Sequence, residues 1–111
     1  MEILLWESSS GSSPVAEYLQ QLDPKTRAKI TRVLDLITDK GLAILGTQFL
    51  QKLSGCDLYE VRIKYNKNSH RILGSIINSK LYLVLGFMKK EQKTRRQFIK
   101  LAEDRLKTIN R

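Results

Sequence analysis

The sequence predicts a small α+β domain in which helices cover a β-sheet. Three observations support this prediction: three strand-like runs separated by turn residues, two amphipathic helical segments before them, and one such segment after them. At 111 residues, with 41% hydrophobic and 28% charged residues, the chain suits a single globular domain spanning residues 1–111. We therefore expect the order strand, two helices, three strands, helix.

The N-terminal part contains a short strand and the starts of two helices. Residues 2–6 are too apolar for an exposed tail and read as a strand, which a Ser/Gly-rich connection follows. Ser13 before Pro14 and Asp23 before Pro24 each place a capping side chain ahead of a proline, which is favoured at the first helical position. Two helices joined by so short a corner form a hairpin that can cover one face of a sheet.

The second helix has one apolar stripe and a defined end. Gly41 ends it, because glycine is favoured just past a helix C-terminus. Residues 42–55 are predicted to connect the hairpin to the sheet. Four apolar side chains of this helix recur at i, i+3, i+4 and i+7 spacing: Ile30, Val33, Leu34 and Ile37.

The following part of the chain is predicted to fold as a three-stranded antiparallel meander, because only short turns separate its strands. The strands span residues 59–65, 70–77 and 81–88, and the turns residues 66–69 and 78–80. The third strand is apolar on both faces, as expected of an interior strand. Alternation in the first strand places Tyr59, Val61, Ile63 and Tyr65 on one face and Glu60, Arg62 and Lys64 on the other.

A last helix follows the meander. Thr94 and Gln97 have the spacing of a capping box, which marks a helix start. The helix is expected to pack one apolar face on the sheet. This face contains Phe98, Leu101, Ala102, Leu106 and Ile109.

The positive charge of the protein is confined to one half of the sequence. The formal net charge is +9; residues 1–55 contain 6 Lys and Arg against 6 Asp and Glu, and residues 56–111 contain 14 against 5. A charge that served only solubility would be spread over the whole surface. This polarity indicates a polyanionic partner, in the first place a nucleic acid, then an acidic protein, then an anionic membrane.

The residue inventory excludes several classes of site. Cys56 is the only cysteine and His70 the only histidine, so multi-cysteine and multi-histidine metal sites are excluded. No glycine-rich phosphate loop is present, and no pair of acids stands out. There is no apolar run of membrane-spanning length and no signal-peptide pattern. We therefore expect a cytoplasmic protein with no metal, no cofactor and no membrane contact.

The remaining chemistry is that of arginine and lysine. RNA carries its own nucleophile, the 2′-hydroxyl, so an enzyme has only to orient it, move its proton and stabilise the charge on phosphorus. Guanidinium groups suit the last task because they present fixed paired donors to phosphate oxygens. Arg62, Arg71 and the pair Lys89 and Lys90 lie on adjacent strands or strand ends, and we predict that they converge as the site.

Three segments of the sequence resemble the RelE/ParE toxin superfamily, and within it the HigB-like, phage-derived toxins of type II toxin–antitoxin systems. The segments are residues 58–63 (LYEVRI), residues 70–72 (HRI) and residues 86–90 (GFMKK), the last with Lys93 and Thr94 shortly after it. The resemblance implies a small RelE-like fold and a ribosome-dependent mRNA endonuclease. Such an enzyme cuts without a metal and leaves a 2′,3′-cyclic phosphate or 3′-phosphate and a 5′-hydroxyl.

The resemblance also implies partners and site residues. The partners are the ribosome, mRNA and a cognate antitoxin, usually a HigA-like helix-turn-helix protein through which the toxin reaches operator DNA. Arg71 and Lys90 are assigned to stabilising the phosphate charge, and Arg62 or Lys64 to positioning or proton transfer. The expected catalytic set is Arg62, Lys64, Arg71, Lys89 and Lys90. The expected RNA-binding set is Lys67, His70, Lys93, Thr94, Arg95 and Arg96.

Two other functions stay open at the sequence level. ParE-like members of the superfamily poison DNA gyrase, and a basic surface also suits a nucleic-acid-binding module without catalysis. His70 stands where many HigB-like relatives have tyrosine, and the aromatic residue near the last helix, Phe98, belongs to an apolar stripe. The identity of the general base therefore stays open, and His70 itself is expected at the surface beside a turn.

Overall fold

The computed structural model of the protein describes residues 1–90, 94 and 96–109. A 3₁₀ turn, Gly41–Ile44, directly follows the second helix. The other elements are β1 (Glu2–Leu5), α1 (Pro14–Gln20), α2 (Pro24–Lys40), β2 (Leu50–Lys52), β3 (Tyr59–Tyr65), β4 (Asn68–Ile77), β5 (Lys80–Met88) and α3 (Arg96–Leu106). Within this part of the chain, no helix has the length and hydropathy needed to cross a membrane.

The sheet is larger than predicted. It has five strands in the order β1-β5-β4-β3-β2, with β1 parallel to β5 and the other neighbours antiparallel. The α+β class is confirmed, and β3, β4 and β5 pair antiparallel in chain order, but the sheet is five-stranded and mixed and so does not match the predicted three-stranded antiparallel meander exactly. Strand β2 has only three residues, in a segment predicted to be a connection, so its sequence carries too little alternation to reveal a strand.

Both turns of the meander are tighter than predicted. Asn66 and Lys67 have φ of 52° and 68°, and Asn78 and Ser79 have φ of 51° and 65°. Positive φ at both central residues is typical of two-residue hairpin loops. Strand β4 therefore begins at Asn68, two residues earlier than expected, which places every following residue deeper in the sheet.

The hairpin forms as the sequence predicts. The Ser13 hydroxyl accepts a hydrogen bond from the Ala16 amide at 3.3 Å, and an Asp23 carboxylate oxygen accepts one from the Thr26 amide at 3.2 Å. Gly41 ends α2 with φ of 58°, a backbone conformation that favours glycine. The two predicted helix starts and the end of α2 are confirmed.

The two faces of the sheet are buried under different helices. On one face, α1 and α2 pack on the strands around Val15, Ile30, Ile37, Val61, Ile63, Ile72 and Leu83. On the other face, α3 packs on the strands around Leu58, Leu73, Val84, Phe87, Ala102 and Leu106. The result is a three-layer α/β/α arrangement with a separate apolar core on each side of the sheet.

The predicted apolar face of α3 needs a correction. Leu101 is 39% exposed, whereas Ile99 packs against the core beside Ala102 and Leu106. Arg105 also turns towards the sheet, where its guanidinium donates to the Val84 carbonyl at 2.7 Å. The helix begins at Arg96, so Thr94 lies before its first turn and its hydroxyl serves another contact, described below.

Candidate active site

Two arginines lie side by side on neighbouring strands. Arg62 of β3 is the register partner of Arg71 of β4. Their sequence neighbours Val61, Ile63 and Ile72 pack in the core beneath α1 and α2. Because side chains alternate along a strand, both guanidinium groups leave the opposite face, the one that α3 covers. The structure thus brings together the two arginines that the sequence singled out.

A buried carboxylate holds this pair. Glu60 is completely inaccessible to solvent, and its Oε1 accepts a hydrogen bond from Arg62 Nε at 2.8 Å. The same oxygen lies 3.4 Å from Arg71 Nε. Its Oε2 accepts a hydrogen bond from the Thr94 hydroxyl at 2.6 Å. Glu60 of β3 therefore contacts side chains from β3 itself, from β4 and from the segment before α3.

Sequence reasoning missed this role of Glu60. The alternation of β3 places Glu60 on the same face as Arg62, and that face reads as solvated because all its side chains are charged. The available signal was an acid two residues before an arginine on the same strand face, opposite a second arginine in the next strand. A carboxylate between two guanidiniums is a way to bury all three groups.

One carboxylate does not balance the positive charge around it. Burial lowers the pKa of Lys89, the positive charges of Arg71 and Arg62 lower it further, and Glu60 opposes the shift. Burial likewise lowers the pKa of Arg71, with Glu60 opposing and Arg62 adding to the effect. We name Glu60, Arg62, Arg71 and Lys89 the Glu60 cluster. Its single negative charge against three positive charges leaves it able to accept an anion.

Arg71 is anchored within the Glu60 cluster. One of its terminal nitrogens donates to the His70 carbonyl at 3.2 Å. Its Nε is buried and makes no hydrogen bond in the described part of the chain, but it lies at ion-pair distance from Glu60 Oε1. These contacts fix the guanidinium beside Arg62.

A cleft of about 350 Å³ opens beside the cluster at the outer edge of β3. Arg62 and Arg71 form one wall of it, Lys64 lies at its rim, and Lys29 of α2 faces them from the hairpin side. None of its lining residues in the described part of the chain is acidic. This arrangement concentrates positive potential in a concave site, which favours a phosphate group.

The other predicted residues are distributed around this centre. Lys64, Lys67 and Lys90 are exposed, and Arg96 is exposed at the first residue of α3. Thr94 is half-buried on Glu60. Lys93 and Arg95 lie outside the described residues. The exposed lysines and Arg96 suit long-range attraction of a polyanion, whereas the buried cluster suits a fixed contact.

His70 does not lie at the surface, and that expectation is wrong. Its ring is 1% exposed and faces the helical hairpin, where Nδ1 and the Tyr18 hydroxyl are 2.6 Å apart. The tight turn explains the error, because His70 is the third residue of β4 rather than a turn neighbour. A ring in this position offers no accessible edge to RNA, so the structure does not support the predicted contact.

The contact between Tyr18 and His70 docks α1 on the sheet. Burial raises the pKa of Tyr18 to about 12, and burial is also the main cause that lowers the pKa of His70. The phenol therefore keeps its proton and shares a hydrogen bond with the neutral imidazole, in which the tautomer of His70 sets the donor. Gly86 of β5 makes room for this ring, since a Cβ there would lie 2.8 Å from a Tyr18 ring carbon.

Residues 17–107 match the family of phage-derived Gp49-like proteins (DUF891), a RelE-like family associated with the toxins of toxin–antitoxin systems. The matched segment begins inside α1, ends just after α3 and includes the whole Glu60 cluster. The chain belongs to this Gp49-like family, and membership implies an antitoxin partner. A comparison with curated proteins finds no match.

Proposed function

We propose that this protein is the HigB-like toxin of a type II toxin–antitoxin system and cuts mRNA on the ribosome. The observation that carries the proposal is the Glu60 cluster beside an open cleft whose charged lining residues, in the described part of the chain, are all basic. A phosphodiester in this cleft would meet two neighbouring guanidiniums in a half-buried environment, where charge–charge attraction is stronger than in water. The Gp49-like family supports the toxin class.

The chemistry needs only the RNA, water and the side chains of the cluster. The 2′-hydroxyl attacks the adjacent phosphorus and loses its proton to water, a 2′,3′-cyclic phosphate forms, and the bond to the 5′-oxygen breaks as that oxygen takes up a proton. Arg71 and Arg62 stabilise the charge that develops on the non-bridging oxygens, because guanidinium groups present fixed donors to phosphate oxygens. Both arginines keep their positions because Glu60 anchors them.

Lys89 is the best candidate for proton transfer to the leaving 5′-oxygen. Its pKa is lowered by burial and by Arg71 and Arg62, which brings it closer to the pH at which a lysine exchanges protons efficiently. Lys90 follows it in sequence but is exposed, so we assign Lys90 to contacts with the RNA or ribosome backbone. Lys64, Lys67 and Arg96 contribute to the same electrostatic docking.

The proposal includes the regulation and location of the toxin. A cognate antitoxin of the helix-turn-helix, HigA-like kind neutralises the protein and carries it to operator DNA. The toxin acts in the cytoplasm, where ribosomes and mRNA are. The family supports an antitoxin partner of some kind, and the positive charge suits a partner with an acidic segment.

A parallel assay of translation and supercoiling tests the proposal. Purified protein added to a cell-free extract should stop leucine incorporation and generate mRNA fragments with 5′-hydroxyl ends at the ribosomal decoding site. DNA gyrase in a separate reaction should keep its supercoiling activity. Loss of supercoiling with intact translation would contradict the nuclease proposal and indicate a gyrase poison. RNA binding that inhibits neither translation nor supercoiling would indicate a non-enzymatic binding module.

A further inference from the structure

The cleft exists because strand β2 is shorter than strand β3. Residues Leu50, Gln51 and Lys52 pair with Val61, Glu60 and Tyr59. The last main-chain contact on this edge is the Arg62 amide, which donates to the Phe49 carbonyl at 2.9 Å. From there to the end of β3, the described structure has β4 on one side and the cleft on the other.

The open edge presents main-chain groups to the cleft. Main-chain directions alternate along a strand, so the amide and carbonyl of Lys64 point the same way as the Arg62 amide, away from β4. Outside the strand ladders, the described part of the chain contains no main-chain hydrogen bond from the Lys64 amide. These groups are a donor and an acceptor placed at the floor of a basic cleft, and they can serve a ligand with polar edges.

The walls of the cleft differ in chemistry. On the sheet side, Arg62 and Arg71 supply fixed positive charge, as described above. On the hairpin side, Phe49 and Val33 form an apolar wall, and Lys29 is half-buried beside them without an ion pair to any described residue. The cleft thus combines cations from the sheet and from α2 with an aromatic side chain in the same lining. Its volume of about 350 Å³ lies at the small end of ligand sites.

We propose that the cleft is a subsite for one nucleotide of the single-stranded RNA, next to the phosphate that Arg62 and Arg71 bind. Lys29 contacts the neighbouring phosphate, the base lies against Phe49, and the exposed Gln48 amide faces the base edge. The identity of the ligand as RNA rests on the proposed function. The placement of a base on an aromatic ring between basic contacts is how single strands are generally held.

A second cavity shows where this subsite ends. It has a volume of about 390 Å³, shares Lys29, Val33 and Phe49 with the cleft, and is also lined by Arg32, Asp35, Leu36 and Asp39. Its two carboxylates balance its two basic side chains, so this cavity lacks the excess positive charge of the cleft and is a poorer site for a further phosphate. The proposed subsite is therefore limited to a single nucleotide.

Two lysines of α2 provide a matched test. Lys29 lines the cleft, whereas Lys25, one turn earlier and exposed, does not. The probe is a fluorescein-labelled six-nucleotide RNA with 2′-O-methyl groups, which block cleavage, and its binding to the free protein is measured by anisotropy at several salt concentrations. Each phosphate contact on a single strand contributes about 0.7 to the slope of log K against log salt. Lys29→Ala should lower the slope by about 0.7, and Lys25→Ala should leave it unchanged.

The outcomes separate this inference from the proposed function. Equal slopes for Lys29→Ala, Lys25→Ala and the wild type, with unchanged circular dichroism, would overturn the subsite even if the protein cuts mRNA on ribosomes. A salt-dependence slope that is lower for Lys29→Ala but unchanged for Lys25→Ala would support the subsite even if the protein does not cut mRNA on ribosomes. A Lys29→Ala defect for a glutamate-rich peptide but not for the RNA would overturn it in favour of a protein ligand. Gln48→Ala should weaken RNA binding at an unchanged slope, because it removes no charge.

Discussion

Adjacent residues of β4 belong to two buried polar sites of opposite character. On the hairpin side, His70 and Tyr18 form a neutral pair that is closed off beneath α1. On the α3 side, Arg71 joins Glu60 and Arg62 in a charged group that borders a cleft. Both sites are buried or half-buried, and both involve perturbed pKa values, yet only the second carries excess positive charge beside a cleft.

The difference shows which observations point to function. The pair of Tyr18 and His70 satisfies the phenol with an imidazole nitrogen and carries no net charge, so it stabilises the packing of α1. The Glu60 cluster has excess positive charge, and two of its arginines line a cleft that is open to solvent. Burial of polar groups alone is therefore a poor marker of a site; unbalanced charge beside an opening is a better one.

The largest effect is expected for Arg71→Ala. Loss of one donor to a developing oxyanion slows a reaction by roughly 10²–10³-fold. The rate of cleavage on saturating programmed ribosomes should fall by this factor in a single-turnover assay. Ribosome affinity should change little, because the exposed lysines share the docking.

Lys67→Ala is the matched control for Arg71→Ala. Lys67 is exposed in the turn between β3 and β4, outside the cluster. This change should weaken ribosome binding modestly and should not change the cleavage rate of the bound complex. A wild-type bound rate for Arg71→Ala, with native circular dichroism, would mean that the Glu60 cluster is not the active site.

Glu60→Gln is expected to have the next largest effect, and it acts on both stability and rate. Removal of one partner from a buried ion pair costs on the order of 3 kcal/mol, because the remaining charges stay partly desolvated. The free energy of unfolding in urea should fall accordingly, and the bound cleavage rate should fall with it as Arg62 and Arg71 lose their anchor. Glu103→Gln, an exposed carboxylate on α3, should change neither quantity. Equal stability of the two variants would show that Glu60 does not hold the cluster.

Tyr18→Phe should separate the two sites of β4. The change removes only the hydroxyl and leaves Nδ1 of His70 without its partner, which costs about 1–3 kcal/mol when the group stays buried. The midpoint of urea unfolding should fall, while the single-turnover rate on ribosomes at saturating concentration stays at the wild-type value. A rate loss larger than tenfold in folded protein would contradict the division between a structural pair and a functional cluster.

Local sequence signals predicted much of the fold. The Ser-Pro and Asp-Pro helix starts, the apolar stripe of α2 and the alternation of β3 each depend on residues close in sequence, and each is confirmed. The features that were missed depend on distant partners. β2 is a strand only because it pairs with β3, and the parallel pairing of β1 with β5 is invisible in either sequence segment.

The same distinction applies to the candidate site. Arg62 and Arg71 could be placed together from strand order, and their proximity followed from the register. Glu60 could not be recognised as buried, because its burial depends on Thr94 and on α3 covering the charged face of β3. Lys29 and Gln48 come from the hairpin and the segment before β2, and nothing local relates them to the meander.

The smallest expected effect is a pH dependence that belongs to His70 alone, the only histidine of the chain. Its pKa lies below the ordinary value of 6.5, first because of burial and then because of Arg71, while Asp23 opposes the shift. The unfolded chain therefore binds a proton near pH 6.5 that the folded protein does not bind until lower pH. Stability contributed by the neutral imidazole is complete above pH 6.5 and is lost as the pH falls from there to the folded-state pKa.

Because one proton is involved, the free energy of unfolding can change by at most about 1.4 kcal/mol per pH unit in this window. Urea unfolding of the wild-type protein at pH 7.5, 6.5 and 5.5 should show little change over the first unit and a decline over the second. The C2 proton of His70 gives a single histidine signal in NMR, and its titration midpoint should lie below 6.5. A midpoint above 6.5 would mean that the folded protein favours the charged imidazole. The pair of Tyr18 and His70 would then not be a neutral site, and its contrast with the charged Glu60 cluster would be wrong.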